Sequence, residues 1–202
     1  MSLHLSTGCN MLCSRCVLQS GSPGASSLGS TGMTIMTADG AFDLLQLRVE
    51  ASGPPSQVVI AGLGEPLLDA GTFILMRQLH AAYPDLPVSV WTNGILFSDR
   101  LEELVRSGLS GIVFSIHATT QETADAFYDW VIYRGRRSTG RDASHLILQR
   151  QWKGLSNAVE AGIETTVYTA RITGVNDHEI DRIAAKARSI GADRIEIIDL
   201  HR

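Results

Sequence analysis

Cysteine is scarce in this sequence: 3 residues among 202, with no fourth. That argues against a disulfide framework, because one of the three would be left over and their spacings are too tight for a staple. A long hydrophobic run is also missing. Nothing approaches the ~20 apolar residues that cross a bilayer, and the N-terminus has no basic stretch followed by an apolar one. Neither a membrane span nor a secretory signal is expected. Basic excess is missing too: 17 Lys and Arg stand against 21 Asp and Glu, a net charge of −4. A general nucleic-acid binder needs the phosphate contacts such an excess supplies, although a local basic pocket is compatible with these totals. A soluble, reducing, cytoplasmic setting fits these absences and an exposed set of thiols. What the chain does have is apolar residues, 44% of the total, enough for a sizeable core in a single domain over residues 1–202.

The three cysteines fall together as Cys9, Cys13 and Cys16, a C-x3-C-x2-C arrangement inside one loop, residues 8–17. Three thiolates at that spacing can grip three corners of a [4Fe–4S] cluster, which needs four ligands. The remaining iron is then open to a ligand other than cysteine, a place for chemistry. The competing reading is a structural zinc site with His4 as its fourth ligand.

Along the chain, short apolar runs alternate with amphipathic stretches. Strands are expected at Ser2–Thr7, Val58–Ala61, Val88–Trp91, Gly111–Ile116, Thr165–Ala170 and Arg194–Ile198. Residues 19–32 are rich in Gly and Ser and read as a flexible loop beside the cysteines. Thr37 and Asp69 are placed to cap helices, Ser98 opens another, and Thr119 with Glu122 forms a capping box. Arg134, Arg136, Arg137 and Arg141 read as one basic loop. Leu148, Trp152, Leu155 and Val159 make a buried helical stripe. Asn176 with Glu179 begins a last helix, which Gly191 ends. Six strands alternating with helices predict an α/β fold, a parallel sheet curved into a partial (β/α)6 barrel. Active sites of parallel barrels lie at the C-terminal ends of the strands. There the sequence puts the cysteine loop, Gly64-Glu65-Pro66, Thr92-Asn93-Gly94, Ser115 with His117, and Arg171. Asp199 and His201 face the same end on weaker grounds. A carboxylate such as Glu65 is a natural partner for a protonated amine.

The cysteine spacing and the G-E-P turn resemble the radical S-adenosylmethionine (radical SAM) superfamily. The resemblance implies an enzyme in which Cys9, Cys13 and Cys16 carry a [4Fe–4S] cluster and the open iron binds the amine and carboxylate of SAM. One electron from the cluster then breaks a C–S bond and leaves a 5′-deoxyadenosyl radical. It implies Gly64 and Glu65 beside the methionine part of SAM, Ser115 against its ribose or carboxylate, Thr92 and Asn93 in similar work, and Arg171 on the carboxylate. It also implies a low-potential electron donor of the ferredoxin or flavodoxin type. The family commonly has an aromatic residue before the third cysteine; here Arg15 stands there, and its guanidinium plane can stack in its place.

Within the superfamily, Tyr128-Asp129-Trp130-Val131, Gly135-Arg136-Arg137, the run from Leu148 to Leu155 and Ile172-Thr173-Gly174-Val175-Asn176-Asp177 resemble the NifB branch, as does the opening His4-Leu5. That branch builds the iron–sulfur precursor of the nitrogenase cofactor. The resemblance implies an iron–sulfur cluster substrate, or a cluster-carrying partner protein, near the arginines, whose charge suits an anionic cluster. The branch has further cysteines that hold its substrate clusters, and this sequence has none. Radical modification of a small molecule, peptide or protein is the alternative, and a non-catalytic electron-transfer or cluster-delivery protein the more distant one.

Overall fold

The structure is a computed structural model and describes residues 1–6, 8–14, 16 and 34–199. The Gly/Ser segment 19–32, Arg15 and His201 lie outside the described residues. In chain order the elements are β1 (Ser2–Ser6), β2 (Met11–Cys13), α1 (Ala38–Ser52), β3 (Val58–Gly62), α2 (Ala70–Ala82), β4 (Val88–Thr92), α3 (Phe97–Arg106) and β5 (Gly111–Ser115). They continue with α4 (Gln121–Phe127), β6 (Tyr128–Tyr133), β7 (Arg136–Thr139), α5 (Gly140–Glu160), β8 (Glu164–Arg171), α6 (Ile180–Ile190) and β9 (Arg194–Asp199). Short 3-10 turns precede α2 and α6. Among the described residues no helix is long and apolar enough to cross a membrane.

Six strands form one parallel sheet in the order β1-β3-β4-β5-β8-β9, with β1 and β9 at its edges. These are the six strands the apolar runs predict, in the order a partial (β/α)6 barrel requires. Side chains alternate between faces along a strand. Leu3, Val58, Ile60, Val90, Phe114 and Val167 therefore all join the core beneath the helices. Their neighbours Val59, Trp91, Val113 and Thr166 point the other way, into the concave interior, where they line a cavity of about 150 Å³. Thr37 and Asp69 cap α1 and α2 as expected, accepting from Gly40 N at 3.1 Å and Gly71 N at 2.8 Å.

Several local expectations are corrected. The supposed basic loop is a β-hairpin, β6–β7, whose antiparallel pairing turns at Arg134 and Gly135. Their φ values of 51° and 74° are those of a two-residue hairpin turn. The cysteine loop contains a strand, β2, that pairs antiparallel with β6, so a second, three-stranded sheet β2-β6-β7 lies across the strand ends. Its underside packs a second core of Met11, Ile95, Phe127, Tyr128 and Val131, with Cys9 and Cys13 against it. The α4 cap is Thr120, which accepts from Thr123 N at 3.4 Å, and not Thr119, whose N–H goes to Glu179 at 2.7 Å. Helix α3 starts at Phe97 with no side-chain cap, and Ser98 accepts from Asn157 instead. Asn176 caps no backbone N–H of the following turn with its side chain, because that amide binds the ends of two strands.

Gly62 closes β3 where β1 crosses closest. A Cβ there would lie 2.7 Å from the Ser6 carbonyl oxygen and 3.1 Å from the Ser6 Cβ. Gly62→Ala is expected to push β1 away and destabilise the protein by about 1–3 kcal/mol, read as a lower midpoint in urea with an unchanged slope.

Candidate functional site

The loop with the three thiols has one short strand of its own and is held from both sides. On one side Ile132 N donates to Asn10 O at 2.6 Å and Ser14 N donates to Phe127 O at 2.8 Å, which fastens it to the hairpin and to the end of α4. On the other, Gly64 N donates to Ser6 O at 3.0 Å and Glu65 N donates to Gly8 O at 2.7 Å, which fastens it to the end of β3. Between Cys13 and Cys16 the chain turns through a Cys16 N to Cys13 O bond of 3.0 Å.

No disulfide joins the cysteines. Burial, then the charges of Cys16 and Cys9, push the Cys13 thiol well above its ordinary pKa. Burial also raises Cys9, opposed by hydrogen bonds from the Met11 N–H and Asn93. Thiols that are costly to ionise alone become good ligands when a cation compensates their charge. Among the described residues no three His, Cys, Asp or Glu side chains converge as on a single metal ion. Three soft sulfurs on one loop, within each other's electrostatic reach, suit an iron–sulfur cluster. A buried amide donor beside them, Asn10 Nδ2, has no hydrogen-bond acceptor, as fits a site whose acceptor arrives with a bound anionic group. His4, on β1, keeps a buried Nδ1 with no partner.

Glu65 is the node beneath the loop. It is 1% exposed. One carboxylate oxygen accepts from Leu67 N at 3.0 Å and Thr92 Oγ1 at 2.6 Å, the other from Asn93 N at 2.7 Å. Burial raises its pKa, and the three donors oppose that rise. A ligand ammonium reaching Glu65 would join three donors already in place. Asn93 carries the connection onward: its Nδ2 donates to Asn10 Oδ1 at 2.8 Å and lies 3.7 Å from Cys9 Sγ. Glu65 and Asn93 thus meet the cysteine loop, while Gly64 binds Ser6 of β1 and Thr92 binds Glu65.

Ser115 stands at the end of β5 on the concave face. Its hydroxyl accepts from Trp91 Nε1 at 2.8 Å, and the Trp91 ring meets the Tyr168 ring edge-on at 4.7 Å. His117 is buried and has a structural role: its Nδ1 accepts from Ala170 N at 3.2 Å, and its ring stacks on Phe127 at 4.6 Å. Burial lowers its pKa to about 4. Arg171 pairs with Asp199 at 3.3 Å where β8 and β9 end, with 42% of its side chain exposed. The cavity in the concave interior lies toward the strand starts, among Gln57, Gly111, Glu164 and Arg194, away from the cysteine loop.

Four residues to which the sequence assigns no part in the site hold this rim together. Gln151, fully buried on α5, donates to Asn93 O and Ser115 O, both at 2.9 Å. Tyr128 OH donates to Gln151 and accepts from His117 N, each at 3.4 Å; burial and the charge of Cys13 raise its pKa. Asn176 Nδ2 donates to His117 O at 3.0 Å and Ala170 O at 2.8 Å. Glu179 accepts from Thr119 N and Thr120 N. The available signal was a polar residue at a buried helical phase: Gln151 lies between Ile147 and Leu155 on the inner side of α5. In the hairpin, Arg134 binds Asp99 at 3.1 Å and Arg137 lies over the Trp130 ring at 4.8 Å, while Arg136 and Arg141 are exposed.

Comparison with known proteins agrees with this geometry. A family model described as the Radical SAM superfamily matches residues 3–187. The FeMo cofactor biosynthesis protein NifB of Klebsiella pneumoniae is 28% identical over 198 residues, 95% of this chain and 41% of that protein. NifB of Chlorobaculum tepidum is 28% identical over 197 residues, 95% of this chain and 45% of that one. The chain therefore spans less than half the length of these relatives. Among solved structures, SuiB of Streptococcus suis bound to S-adenosylmethionine superposes with a TM-score of 0.66 at 16% identity, over 100% of this chain and 39% of that one. At that identity the likeness shows the fold.

His117 makes stability depend on pH. With its pKa lowered from 6.5 to about 4, the unfolded chain binds a proton that the folded chain refuses between those values. The stability it contributes is complete above pH 6.5 and lost as pH falls toward 4, about 3 kcal/mol in all. His117→Asn is expected to flatten the fall in melting temperature across that window relative to the unmodified protein.

Proposed function

The chain belongs to the radical SAM superfamily, and from that premise we propose that Cys9, Cys13 and Cys16 hold a [4Fe–4S] cluster and that the protein cleaves SAM reductively. The observation that carries the reading is the cysteine loop fastened at the strand C-termini directly against Glu65 and Asn93. When bound and reduced, the cluster supplies the electron that splits SAM into methionine and a 5′-deoxyadenosyl radical.

The chain's own residues supply position and exclusion. The Gly64 backbone gives close approach to the methionine part, and Glu65, held by Thr92 and Asn93, fixes a negative charge for its amine. Ser115, whose oxygen already accepts from Trp91, has its hydroxyl hydrogen left to donate to the ribose or carboxylate of SAM. Arg171 offers a guanidinium to a carboxylate at the open side of the rim. The apolar underside of the hairpin packs against Cys9 and Cys13 and limits the water that reaches them. The electron comes from a low-potential donor of the ferredoxin or flavodoxin type, in a cytoplasmic setting.

The specific role we infer is NifB-like assembly of an iron–sulfur cofactor. Similarity to NifB over 95% of the chain supports it, and so do Arg134, Arg136, Arg137 and Arg141, whose charge suits an anionic cluster substrate. All three cysteines are in the loop. Within these 202 residues substrate clusters find no further thiol, and a cluster-carrying partner would supply their ligands, with His4 as one imidazole to help. A second reading, radical modification of an organic molecule or peptide, is favoured by the concave interior, which presents Trp91, Tyr168 and Ser115 and no thiol.

Protein reconstituted anaerobically and reduced should be brown and release 5′-deoxyadenosine from SAM. Cys13→Ala should lose both while its circular dichroism stays that of the unmodified protein; a Cys13→Ala protein with a full cluster and normal turnover overturns the ligand assignment. SAM cleavage that rises with added iron–sulfur clusters supports assembly, and hydrogen carried into deoxyadenosine from an organic compound supports the second reading.

A further inference from the structure

The side-chain amides of Asn10 and Asn93 touch each other beside Cys9, and the hydrogen bonds around them fix which end of each is which. Asn93 Oδ1 accepts from Ile95 N at 3.0 Å, so the other end of that amide is the NH2 group. That NH2 donates to Asn10 at 2.8 Å, so the Asn10 atom it meets is Oδ1. The Asn10 NH2 is then left on the far side. There it is buried, in a residue 4% exposed, with no acceptor. Exchanging the two ends of Asn10 would set NH2 against NH2 and is excluded. The main chain cannot swing it out, because Asn10 O is bound by Ile132 N at 2.6 Å.

A buried donor without an acceptor costs about 1–3 kcal/mol, and such a group in a folded protein calls for an explanation. Two features give one. Asn10 follows Cys9 directly in the loop. The second hydrogen of Asn93 Nδ2 already lies toward Cys9 Sγ, at 3.7 Å. Asn93 thus carries one N–H to the sulfur end of the loop, and the unengaged N–H group of Asn10 belongs to the residue directly after Cys9.

We propose that Asn10 and Asn93 form an amide relay whose N–H groups donate to the sulfurs of the bound cluster and set its reduction potential; this rests on the cluster reading above. N–H donors to sulfur favour the more negative, reduced state and so raise the potential. The acceptor that Asn10 Nδ2 lacks is a thiolate or sulfide sulfur. Through its main-chain N–H, Asn93 also binds Glu65, so the residue that tunes the cluster is tied to the carboxylate we assign to SAM.

The test compares the unmodified protein with Asn10→Leu, which removes the donor without adding charge, and Asn10→Asp, which keeps an oxygen for Asn93 but replaces the donor. Asn10→Ala replaces the Leu variant if that protein takes up no iron. Each is reconstituted anaerobically, assayed for iron and sulfide, and titrated against potential by electron paramagnetic resonance without SAM. The expected result is normal cluster content and, at the midpoint of the unmodified protein, a reduced-to-oxidised ratio lowered about tenfold, a shift of roughly 59 mV for one electron. The Asp variant should shift further in the same direction. Full clusters with an unmoved midpoint in the uncharged variant overturn the relay. So does a loss of cluster content with no change in the midpoint of what remains, which is the mark of a purely structural tie. An unmodified protein that takes up no cluster overturns the cluster reading itself and the relay with it.

Discussion

Three thiols held within one another's electrostatic reach, and largely away from water, cannot hold themselves in place. Ionising Cys9 or Cys13 is opposed by burial and, at Cys13, by the charges of the two others. A short loop whose only strand is three residues long has little structure of its own to resist that opposition. The shape of the loop must come from what surrounds it. Much of the remaining architecture can be understood as a frame for it: the parallel sheet below gives the attachment at Ser6, Gly8 and Glu65, and the small antiparallel sheet above gives the attachment at Asn10 and Ser14.

The same frame aligns the strand ends that face the loop. Buried polar side chains link the ends of β3, β4, β5 and β8. Glu65 joins β3 to β4, Gln151 joins β4 to β5, and Asn176 joins β5 to β8. Buried polar groups of this kind are costly unless every one is matched, and when matched they fix a single arrangement. Here they hold the concave rim, with Ser115 at the end of β5 and Arg171 paired to Asp199 at the end of β8, at a set spacing.

The main sheet was legible in the sequence because its determinants are local. Val58–Gly62 and Val88–Thr92 are short apolar runs between turn residues, and Thr37 and Asp69 sit one residue before the helices they cap. The radical SAM reading was legible because three cysteines in eight residues are a local pattern too. The second sheet was not. Asp129 and Ile132 are exposed in the middle of β6, so its alternation is broken. Its pairing partner, β2, is three residues long and more than a hundred residues away. The buried amides were equally hidden. Asn10, Gln151 and Asn176 become informative only when the chain brings their partners to them. The capping box at Thr119 failed for the same reason, since Glu179, sixty residues on, takes the N–H that a local cap would have bound.

The hairpin joins two requirements that pull in opposite directions. Its underside must be apolar to shield the thiols, and Met11, Tyr128 and Val131 make it so. Its outer side is basic, and arginines brought close together repel unless each has a partner. Trp130 and Tyr133 resolve part of this, lying under Arg137 and Arg134, and Asp99 pairs with both Arg134 and Arg150, offsetting one of their two charges. Arg136 and Arg141, exposed like Arg134 and Arg137, stand on a strand and a helix rather than on a loop. A rigid cation loses less entropy on binding an anion than a mobile one does. The strand pairing that fixes Cys13 against Tyr128 thus also fixes the position of the positive charge, and the two functions assigned to this end of the barrel share one set of hydrogen bonds.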